Sequence, residues 1–550
     1  MIGESVLLSE LQGPAAGEGL LAGLRRLTYA SPMYGYTLLG RVPSRLLGTP
    51  PEVVPGNAAT GQTILAGSLI FAGLRHPINE PPAHGTDADE AWLTYYHGFA
   101  WLSDLRRVGT DAAREYARTL IRQWIARNAR WSTLAWRPDI LGERLAQWIT
   151  HFGFYAANRE PQFLDELFGE IAREARHLAR TAIRGTAGPR RIVALKGLIY
   201  CGVSLPDCDR WLHQGLKQLD AELIRQIQPD GGHASRNPSV QLYVFADLIA
   251  LRETLAAAHI AVPGWLTESI ERMAPMLRAL RHGDGGLALF NGGAAEDPGI
   301  IDLLLTRSNV KARTAASAPH SGFHRIASGR TTVIIDAGTP PPPSANRWSH
   351  AGTLSFEMSA GRERLIVNCG AAPARGSAWR HALRSTPAHS TVTVDDRNST
   401  DIDPDGGYSK APRHIASARR EIDGSIIIEA SAEGYSDLSG FMHRRLLMLA
   451  PDGGELQGED RLAGGGAKSC TARFHLHPTV QATLIQGGHA VLLKPRRGKG
   501  WRFEAGEDVV SLEESVYFET PQTRRRSLQI VLTRPIGEGG ATLKWRLTRL

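Results

Sequence analysis

Hydrophobic residues recur at helical spacing from about residue 90 to residue 282. In AREYARTLIRQWIARN, and again in RWLHQGLKQLDAELIRQI, the apolar side chains fall three and four positions apart and therefore share one helix face. At least eight such segments follow one another, separated by short breaks that carry Gly, Pro and Asp. Each helix must bury its apolar stripe, so the pattern predicts antiparallel helical hairpins arranged in a ring or stack.

The hydrophobic period changes to two after the segment ASAPHSGFHR. The short runs that follow are rich in Val, Ile, Thr and Phe and include TTVIIDAG, TLSFEMSA, RLIVNCG, STVTVDD, SIIIEAS, VVSLEES and LQIVLTR. Many short strands at close spacing are typical of an antiparallel sandwich. We therefore predict a helical domain over residues 1–315 and an antiparallel β-sandwich domain over residues 316–550.

Size and composition limit the class of protein. A chain of 550 residues is too long for a single core, and its 42% hydrophobic and 21% charged residues are typical of a globular protein. No run of about 18 apolar residues occurs, so a membrane is not an expected partner. The first residues lack the pattern of a secretory signal, which predicts a cytoplasmic location. The four cysteines form no CxxC pair, so reduced thiols are expected.

The net charge of +8 favours an anionic partner, such as an acidic polysaccharide or a nucleic acid. The basic clusters GLRRL, GPRRI, KPRRGKG and QTRRRS lie far apart in the sequence, and no known nucleic-acid-binding module is present. Nucleic acid is therefore not the expected partner.

The loop QPDGGHASRNPS, residues 228–239, concentrates polar chemistry between two helical patterns. A structural explanation suffices for two of its residues, because Asn237 can cap the following helix and Asp230 can order the turn. A turn needs neither the ring of His233 nor the guanidinium of Arg236. We therefore treat that pair as a candidate for chemistry.

Two further clusters carry candidate groups. RHGDGGLALFNGG, residues 281–293, ends in Asn291; a glycine-rich link between domains is the simpler explanation, although the loop could line the same site. His350, Asn368 and His389 each stand beside a strand-like run, and two imidazoles with an oxygen ligand could hold Zn²⁺. The commoner role for a strand histidine is a hydrogen-bonded structural one, and we expect that role for the RFHLHP pair, His475 and His477.

Several of these motifs together resemble the heparinase II/III family. HAGTLSFEMSAGRERLIVNCG followed by AHSTVTVDDRNS resembles its strand block, and PDGGHASRNP resembles a loop of its helical domain. FAWLSDLRRVG, RHGDGGLALFNGG, HRRLLMLAPDG and RFHLHP also occur in the expected order, so the resemblance covers roughly residues 90–550. It implies an incomplete (α/α) toroid joined to an antiparallel β-sandwich, with an acidic polysaccharide bound between them. Most family members are lyases that act on chains containing uronic acid.

A lyase of this kind works by β-elimination. The proton at C5 of a uronate is poorly acidic, so the sugar carboxylate must be neutralised by an amide, a cation or a metal. A Tyr or His then removes the proton, and an acid protonates the leaving oxygen at C4.

The sequence departs from the family pattern at the residues that matter most. Val240 and Gln241 stand where the resemblance leads one to expect Tyr and His, and Trp348 stands where a catalytic His is expected. His350 and His389 match metal-ligand positions, but Asn368 replaces the usual Asp. A neutral amide binds Zn²⁺ less well than a carboxylate, so any zinc site would be degenerate.

Three functions remain open, and we favour the first. A divergent lyase would take its base and acid from other groups, with Arg236 and Asn237 steadying the sugar carboxylate; the candidates are His233, Tyr243, Tyr95, His97 and Arg144. Alternatively the chemistry is lost and the protein only binds an anionic glycan. In either case Trp348 could stack on a sugar face, and Asn291, Tyr95, His97 and Arg144 could contact the substrate. A glycoside hydrolase using Asp230 and Glu143 ranks last, because no paired acidic motif supports it. Lyases of this family commonly work in the periplasm, which is the alternative location.

Overall fold

The computed structural model describes residues 19–82, 87–128, 130–157, 160–372, 378–403, 406–412, 414–435, 441–520 and 522–550. The chain forms two compact units. The helical unit contains residues up to Gln226, Tyr243–Ile270 and Thr306–Ser308, and the strand unit contains Ile227–Leu242, Glu271–Leu305 and Asn309–Leu550. The division differs from the boundary predicted at residue 315, because two segments that precede the strands in sequence belong to the strand unit.

Helices dominate the chain up to residue 308. They are α1 (Gly19–Ala30), α2 (Pro32–Thr37), α3 (Ala58–Leu65), α4 (Asp87–Gly98), α5 (Leu102–Val108), α6 (Asp111–Asn128), α7 (Pro138–Thr150), α8 (Phe152–Tyr155), α9 (Pro161–Thr181), α10 (Pro189–Ser204), α11 (Asp209–Gln226), α12 (Pro238–Ala257), α13 (Gly264–Ala279) and α14 (Pro298–Ser308). A short hairpin, β1 (Ser68–Phe71) and β2 (Leu74–Pro77), follows α3. Helices α12, α13 and α14 each have residues in both units.

The predicted apolar stripes form the interior of the helical unit. In α6, Leu120, Ile121 and Trp124 are buried. Helices α7 and α10 approach each other at glycines, since a Cβ atom added to Gly197 would lie 2.3 Å from the carbonyl oxygen of Gly142. In the described residues no helix is long and apolar enough to cross a membrane.

The strand unit contains two large antiparallel sheets. Its strands are β3 (Ser317–Ala318), β4 (Phe323–Ser328), β5 (Thr331–Asp336), β6 (Phe356–Ala360), β7 (Glu363–Val367), β8 (Val392–Val394), β9 (Asp401–Ile402), β10 (Tyr408–Lys410), β11 (Ile415–Ile422), β12 (Ser425–Glu433), β13 (Met442–Leu449), β14 (Glu455–Ala463), β15 (Ser469–Leu476), β16 (Gln481–Ile485), β17 (Ala490–Lys494), β18 (Trp501–Glu504), β19 (Ser511–Thr520), β20 (Thr523–Pro535) and β21 (Ala541–Arg549). Helix α15 (Ala378–Arg384) lies between β7 and β8 in sequence.

The order of the strands explains the alternation seen in the sequence. One sheet runs β11-β12-β13-β14-β21-β18-β17-β16, and the other runs β19-β20-β15-β7-β6-β5-β4-β3, with β8 paired to β15. One apolar core contains residues from both sheets, among them Phe356, Phe474 and Trp545. Alternate side chains of strands such as β13 and β14 face this core, as expected for a sandwich. All the strand-like runs predicted from the sequence lie in these sheets.

Candidate functional site

The polar loop 228–239 belongs to the strand unit and is held there by its own side chains. Both carboxylate oxygens of Asp230 accept hydrogen bonds, from the backbone N–H groups of Gly232, His320 and Ser321 and from the Ser321 hydroxyl, over 2.5–3.1 Å. Gly231 has a φ of +83°, and a Cβ there would lie 1.9 Å from the carbonyl oxygen of Arg272. The double glycine therefore allows a close backbone approach that no other residue permits.

Each nitrogen of the Arg236 side chain donates to an acceptor in the protein. Its Nε donates to Ser321 O at 2.7 Å, its Nη1 donates to Gly338 O at 3.0 Å and Thr339 O at 3.1 Å, and its Nη2 pairs with Asp336. The side chains of Arg236 and Asp336 are only 7% and 6% exposed. These contacts correct the predicted role for Arg236, because a guanidinium held in this way cannot also neutralise a sugar carboxylate.

The neighbours of Arg236 in the loop are also engaged. Asn237 Oδ1 accepts the N–H groups of Ser239 and Val240 at 2.8 and 3.1 Å, so this residue caps α12. His233 Nδ1 lies 2.8 Å from Ser235 Oγ. Burial lowers the pKa of His233 to about 3, so its ring is neutral at pH 7.

Asn291 closes the same cluster from the second glycine-rich loop. Its Nδ2 donates to Asp336 Oδ2 at 3.0 Å and to Arg236 O at 3.2 Å, while its carbonyl oxygen accepts from Asn237 Nδ2 at 2.8 Å. Asn291 is 6% exposed. Asn291 therefore joins the two loops to β5, and its side-chain amide has no hydrogen left to donate to a sugar.

The loops and the histidine-bearing segment meet at Gly292. A Cβ added to Gly292 would lie 3.5 Å from Asn237 Nδ2, 3.5 Å from His350 Nε2 and 3.4 Å from Trp348 O. Loop 228–239, the second glycine-rich loop and the histidine-bearing segment therefore lie together within the strand unit.

His350 and His389 contact each other directly. His350 Nδ1 lies 3.1 Å from His389 Nε2, and His389 Nδ1 donates to Ser385 O at 2.9 Å. The carbonyl can only accept, so the proton of the neutral His389 ring sits on Nδ1 and its Nε2 accepts from His350. Burial lowers the pKa of His389 to about 4 and holds that of His350 well below its ordinary value, so both rings are neutral at pH 7.

These residues do not fit a zinc site. His389 has no lone pair left for a metal, and the predicted third ligand, Asn368, uses its Oδ1 to accept the N–H of Ser390 at 3.0 Å. Across the described ranges no three His, Cys, Asp or Glu side chains form a group able to hold a metal ion. We therefore assign no chemical step to the predicted zinc.

Trp348 is covered on one face by a cation. The guanidinium carbon of Arg380 lies 3.5 Å from the centre of the indole ring, and Trp348 is 7% exposed. A sugar that stacked on this face would have to displace Arg380. The predicted stacking role of Trp348 is therefore not available in this conformation.

The helical unit contains a separate pocket of about 240 Å³. Two of the predicted candidates, Tyr95 and Tyr243, line it. The ring of Tyr95 stacks on Phe71 at 4.2 Å, and its hydroxyl donates to Asp104 Oδ2 at 3.3 Å. Both tyrosines therefore lie where a ligand of the helical unit would contact them.

The other two helical candidates are structural. Arg144 is fully buried, with its Nε and Nη2 donating to Glu174 and its Nη1 donating to His97 O and Ala135 O. His97 is 8% exposed, and its Nδ1 accepts from Trp124 Nε1 at 2.9 Å. The predicted substrate contacts of Arg144 and His97 are thus replaced by contacts within the core.

Sequence patterns did not reveal a partly buried ion triad on the wall of the helical pocket. Lys196 Nζ donates to Glu143 Oε2 at 2.9 Å and to Asp247 Oδ1 at 2.6 Å. Burial tends to raise the pKa of both acids. The charge of Lys196 outweighs this effect at Glu143, whose pKa lies below its ordinary value. The pKa of Asp247 stays raised, because burial and the nearby Glu143 outweigh the effect of Lys196. Asp247 lies in α12 among apolar residues, and no nearby residue in the sequence indicates its partner.

This triad affects the hydrolase hypothesis. Glu143 is neutralised by Lys196, and the oxygens of Asp230 are all occupied by donors of the strand unit. Lys196 holds the pKa of Glu143 below its ordinary value, whereas the general acid of a glycosidase has a raised pKa. The proposed pairing of Asp230 with Glu143 has no support from their surroundings.

Comparison with known proteins places the fold. Residues 82–298 match the sequence model described as heparinase II/III N-terminus, and residues 310–546 match that described as heparinase II/III-like, C-terminal. FtsZ-localized protein C of Caulobacter vibrioides is 30% identical over 569 residues, covering 99% of this chain and 96% of that protein.

Solved structures agree with this result. A heparinase III structure is 14% identical with a TM-score of 0.71, covering 96% of this chain and 90% of the other. A mutant heparan sulfate lyase from Pedobacter heparinus is 16% identical with a TM-score of 0.66, covering 94% and 87%. These likenesses confirm the predicted fold, a helical toroid followed by an antiparallel β-sandwich.

Proposed function

The chain belongs to the heparinase II/III family, and we propose that it binds an acidic polysaccharide without cleaving it. The observation that carries this proposal is the set of contacts around Arg236, in which each of the three side-chain nitrogens donates to a protein acceptor. A lyase must neutralise the sugar carboxylate before the C5 proton can leave. Arg236, the cation predicted for this task, is not available.

The positions predicted for proton transfer support the same proposal. Val240 is 2% exposed and has no ionisable group. The side chain of Gln241 is hydrogen-bonded to the loop backbone: its Oε1 accepts from His233 N at 2.7 Å, and its Nε2 donates to Gly231 O at 2.8 Å. Trp348 has no titratable group, and it is 7% exposed with Arg380 over one face of its ring. The residues at these positions therefore supply neither a base nor an acid.

The proposed ligand class comes from the solved neighbours. They include a heparan sulfate lyase and a Streptomyces coelicolor chondroitin AC lyase in complex with chondroitin sulphate, the latter with a TM-score of 0.54. Both of those proteins are named for acidic polysaccharides, and the net charge of +8 suits such a ligand.

β-Elimination is the second candidate, because one group could still accept a proton. His350 donates through Nδ1 to His389, which leaves its Nε2 as an acceptor facing the Gly292 turn. The His389 ring fixes this tautomer in the way that a second residue orients a general base. In this alternative His350, not His233, is the base.

One experiment separates the two candidates. The protein is incubated with heparan sulfate, chondroitin sulfate and alginate; ultraviolet absorbance reports an unsaturated uronate, and isothermal titration calorimetry reports binding. We expect saturable heat with at least one polysaccharide and no rise in absorbance. A rise that disappears in His350→Ala would establish the lyase alternative, and new reducing ends without absorbance would indicate a hydrolase.

The name of the Caulobacter relative supports a second proposal, that this chain associates with FtsZ. Co-sedimentation with FtsZ polymers, using bovine serum albumin as the control protein, tests it directly. A fluorescent fusion imaged in cells would then check the predicted cytoplasmic location. Failure to co-sediment would refute the association and leave the polysaccharide proposal intact.

A further inference from the structure

One end of the sandwich in the strand unit gathers positive charge from four separate chain segments. We call it the basic end, defined by residues Arg330, Arg362, Arg496, Arg497, Lys499 and Arg549, which line one hollow of about 860 Å³. The only acidic residues on the described lining are Asp284 and Glu363. Asp284 is already neutralised by Arg364, whose Nε lies 2.7 Å from its carboxylate.

Turns of both sheets meet at this end. The β4–β5 and β6–β7 turns are joined by a bond from Gly361 N to Arg330 O of 2.6 Å. The β4–β5 hairpin is tied to the other sheet by the bond from Thr331 Oγ1 to Gly453 O of 2.7 Å. The β17–β18 loop is held to the end of β21 by the bond from Leu550 N to Gly500 O of 2.9 Å. Backbone contacts therefore fix the positions from which the cations project.

Most of these cations have no protein partner. Arg330, Arg362, Arg496, Arg497 and Lys499 are exposed, and no described residue forms an ion pair or a side-chain hydrogen bond with any of them. Arg549 forms one ion pair, in which its Nη2 lies 3.6 Å from Asp452 Oδ2. Like charges gathered around one hollow repel one another, so the arrangement costs stability unless an anion lies among them.

We propose that the basic end is the site at which this protein binds an extended acidic polysaccharide. The proposal rests on the proposed function and adds the site to it. Guanidinium groups form paired hydrogen bonds with carboxylate and sulfate groups, and five arginines from four chain segments match acidic groups repeated along one chain. The volume of the hollow lies within the range of roughly 300–1,000 Å³ that ligand pockets occupy.

The shape of the surface favours a polysaccharide over a membrane. The cations surround a concavity, whereas a lipid bilayer contacts protruding groups, and in the described residues no amphipathic helix borders the hollow. A single glycan chain can enter the hollow and contact several turns at once. Anionic vesicles therefore serve as a competing ligand in the test.

The experiment compares two charge reversals of equal size. Arg496→Glu/Arg497→Glu alters the basic end, and Arg524→Glu/Arg526→Glu makes the same change on strand β20, elsewhere in the strand unit. Binding of heparan sulfate, chondroitin sulfate and alginate is measured by calorimetry. We expect the first variant to bind on the order of tenfold more weakly and the second to keep its affinity within about twofold. Circular dichroism melting curves confirm that both variants are folded.

Each outcome has one meaning. Equal affinity of both variants for a polysaccharide that the natural protein binds would overturn the basic end as the site and leave the proposed function standing. No binding of any polysaccharide by the natural protein would overturn the proposed function itself. Stronger binding to vesicles of phosphatidylglycerol, lost in Arg496→Glu/Arg497→Glu, would show that the basic end binds a membrane instead.

Discussion

The closed contacts of Arg236 predict a large stability effect from one substitution. Replacing Arg236 by Met keeps an unbranched side chain but removes the donors that serve Ser321 O, Gly338 O and Thr339 O. It also leaves the carboxylate of Asp336, which is 6% exposed, without its cation. Removing one partner of a buried ion pair costs about 3–5 kcal/mol, so we expect the strand unit to lose roughly that much stability.

Urea unfolding measures this loss, and hydrogen exchange locates it. The amides of loop 228–239 should exchange faster in Arg236→Met, because the loop loses its bonds to β5 and to the β5–β6 connection. Arg526→Met is the matched control: Arg526 is an exposed arginine of β20, so its replacement should change stability by less than about 0.5 kcal/mol. Exchange protection in the helical unit shows whether the effect stays local.

A double variant tests the electrostatic part of this reasoning. If the cost comes from an unpaired buried carboxylate, Arg236→Met/Asp336→Leu should be more stable than Arg236→Met alone, because both charges are then absent. A loss below about 1 kcal/mol in Arg236→Met would refute the structural role. Loss of polysaccharide binding without loss of stability would show instead that Arg236 contacts the ligand.

Three other changes test separate parts of the structure. Asn237→Ala should destabilise α12 by about 0.5–2 kcal/mol in urea unfolding, and Asn237→Asp should restore most of that loss, because both Asn and Asp can cap a helix. Burial lowers the pKa of His475 to about 3 from its ordinary 6.5, so this ring is protonated in the unfolded chain but not in the folded chain as the pH falls below 6.5. His475 should therefore lower the stability by about 2 kcal/mol at pH 5, and His475→Gln should reduce the fall in stability by that amount. Lys196→Met leaves Glu143 and Asp247 without their cation. The melting temperature should fall more at pH 7 than at pH 4, because protonation at pH 4 removes the repulsion between the two carboxylates. An equal fall at both pH values would contradict this account.

Periodicity predicted the elements well because it depends on local physics. The run TTVIIDAG becomes β5, whose six residues are all buried, and the helical run of residues 113–128 lies within α6. The unit boundary could not be found in this way. It depends on long-range contacts, such as the ion pair that joins Arg364 to Asp284 and the hydrogen bond of 2.9 Å between His282 and Glu357. Neither partner carries a sequence signal for the other.

The candidate site also depends on contacts between residues that lie far apart in the chain. Loop 228–239 stood out correctly as unusual, but the partner that explains Arg236 lies 100 residues later in the chain. The sequence does indicate that Asp336 has a cationic partner. This acid ends a strand of otherwise apolar and β-branched residues, and a buried acid needs a cation. Which of the many arginines supplies that cation is decided only by the fold.

The distribution of charge points to where an acidic ligand can bind. Five acidic residues line the helical pocket against Lys196 and Arg190, and burial keeps the pKa of its one histidine, His151, at about 3 and its ring uncharged. A uronate or sulfate that entered this pocket would meet carboxylates first, and repulsion at short range inside a protein exceeds that in water. The basic end of the strand unit offers the opposite surroundings, because its cations lack internal partners. Raising the ionic strength should therefore weaken polysaccharide binding steeply in the natural protein and little in Arg496→Glu/Arg497→Glu, since the screened charges are the ones removed. An equal salt dependence of both proteins would mean that the binding energy arises elsewhere.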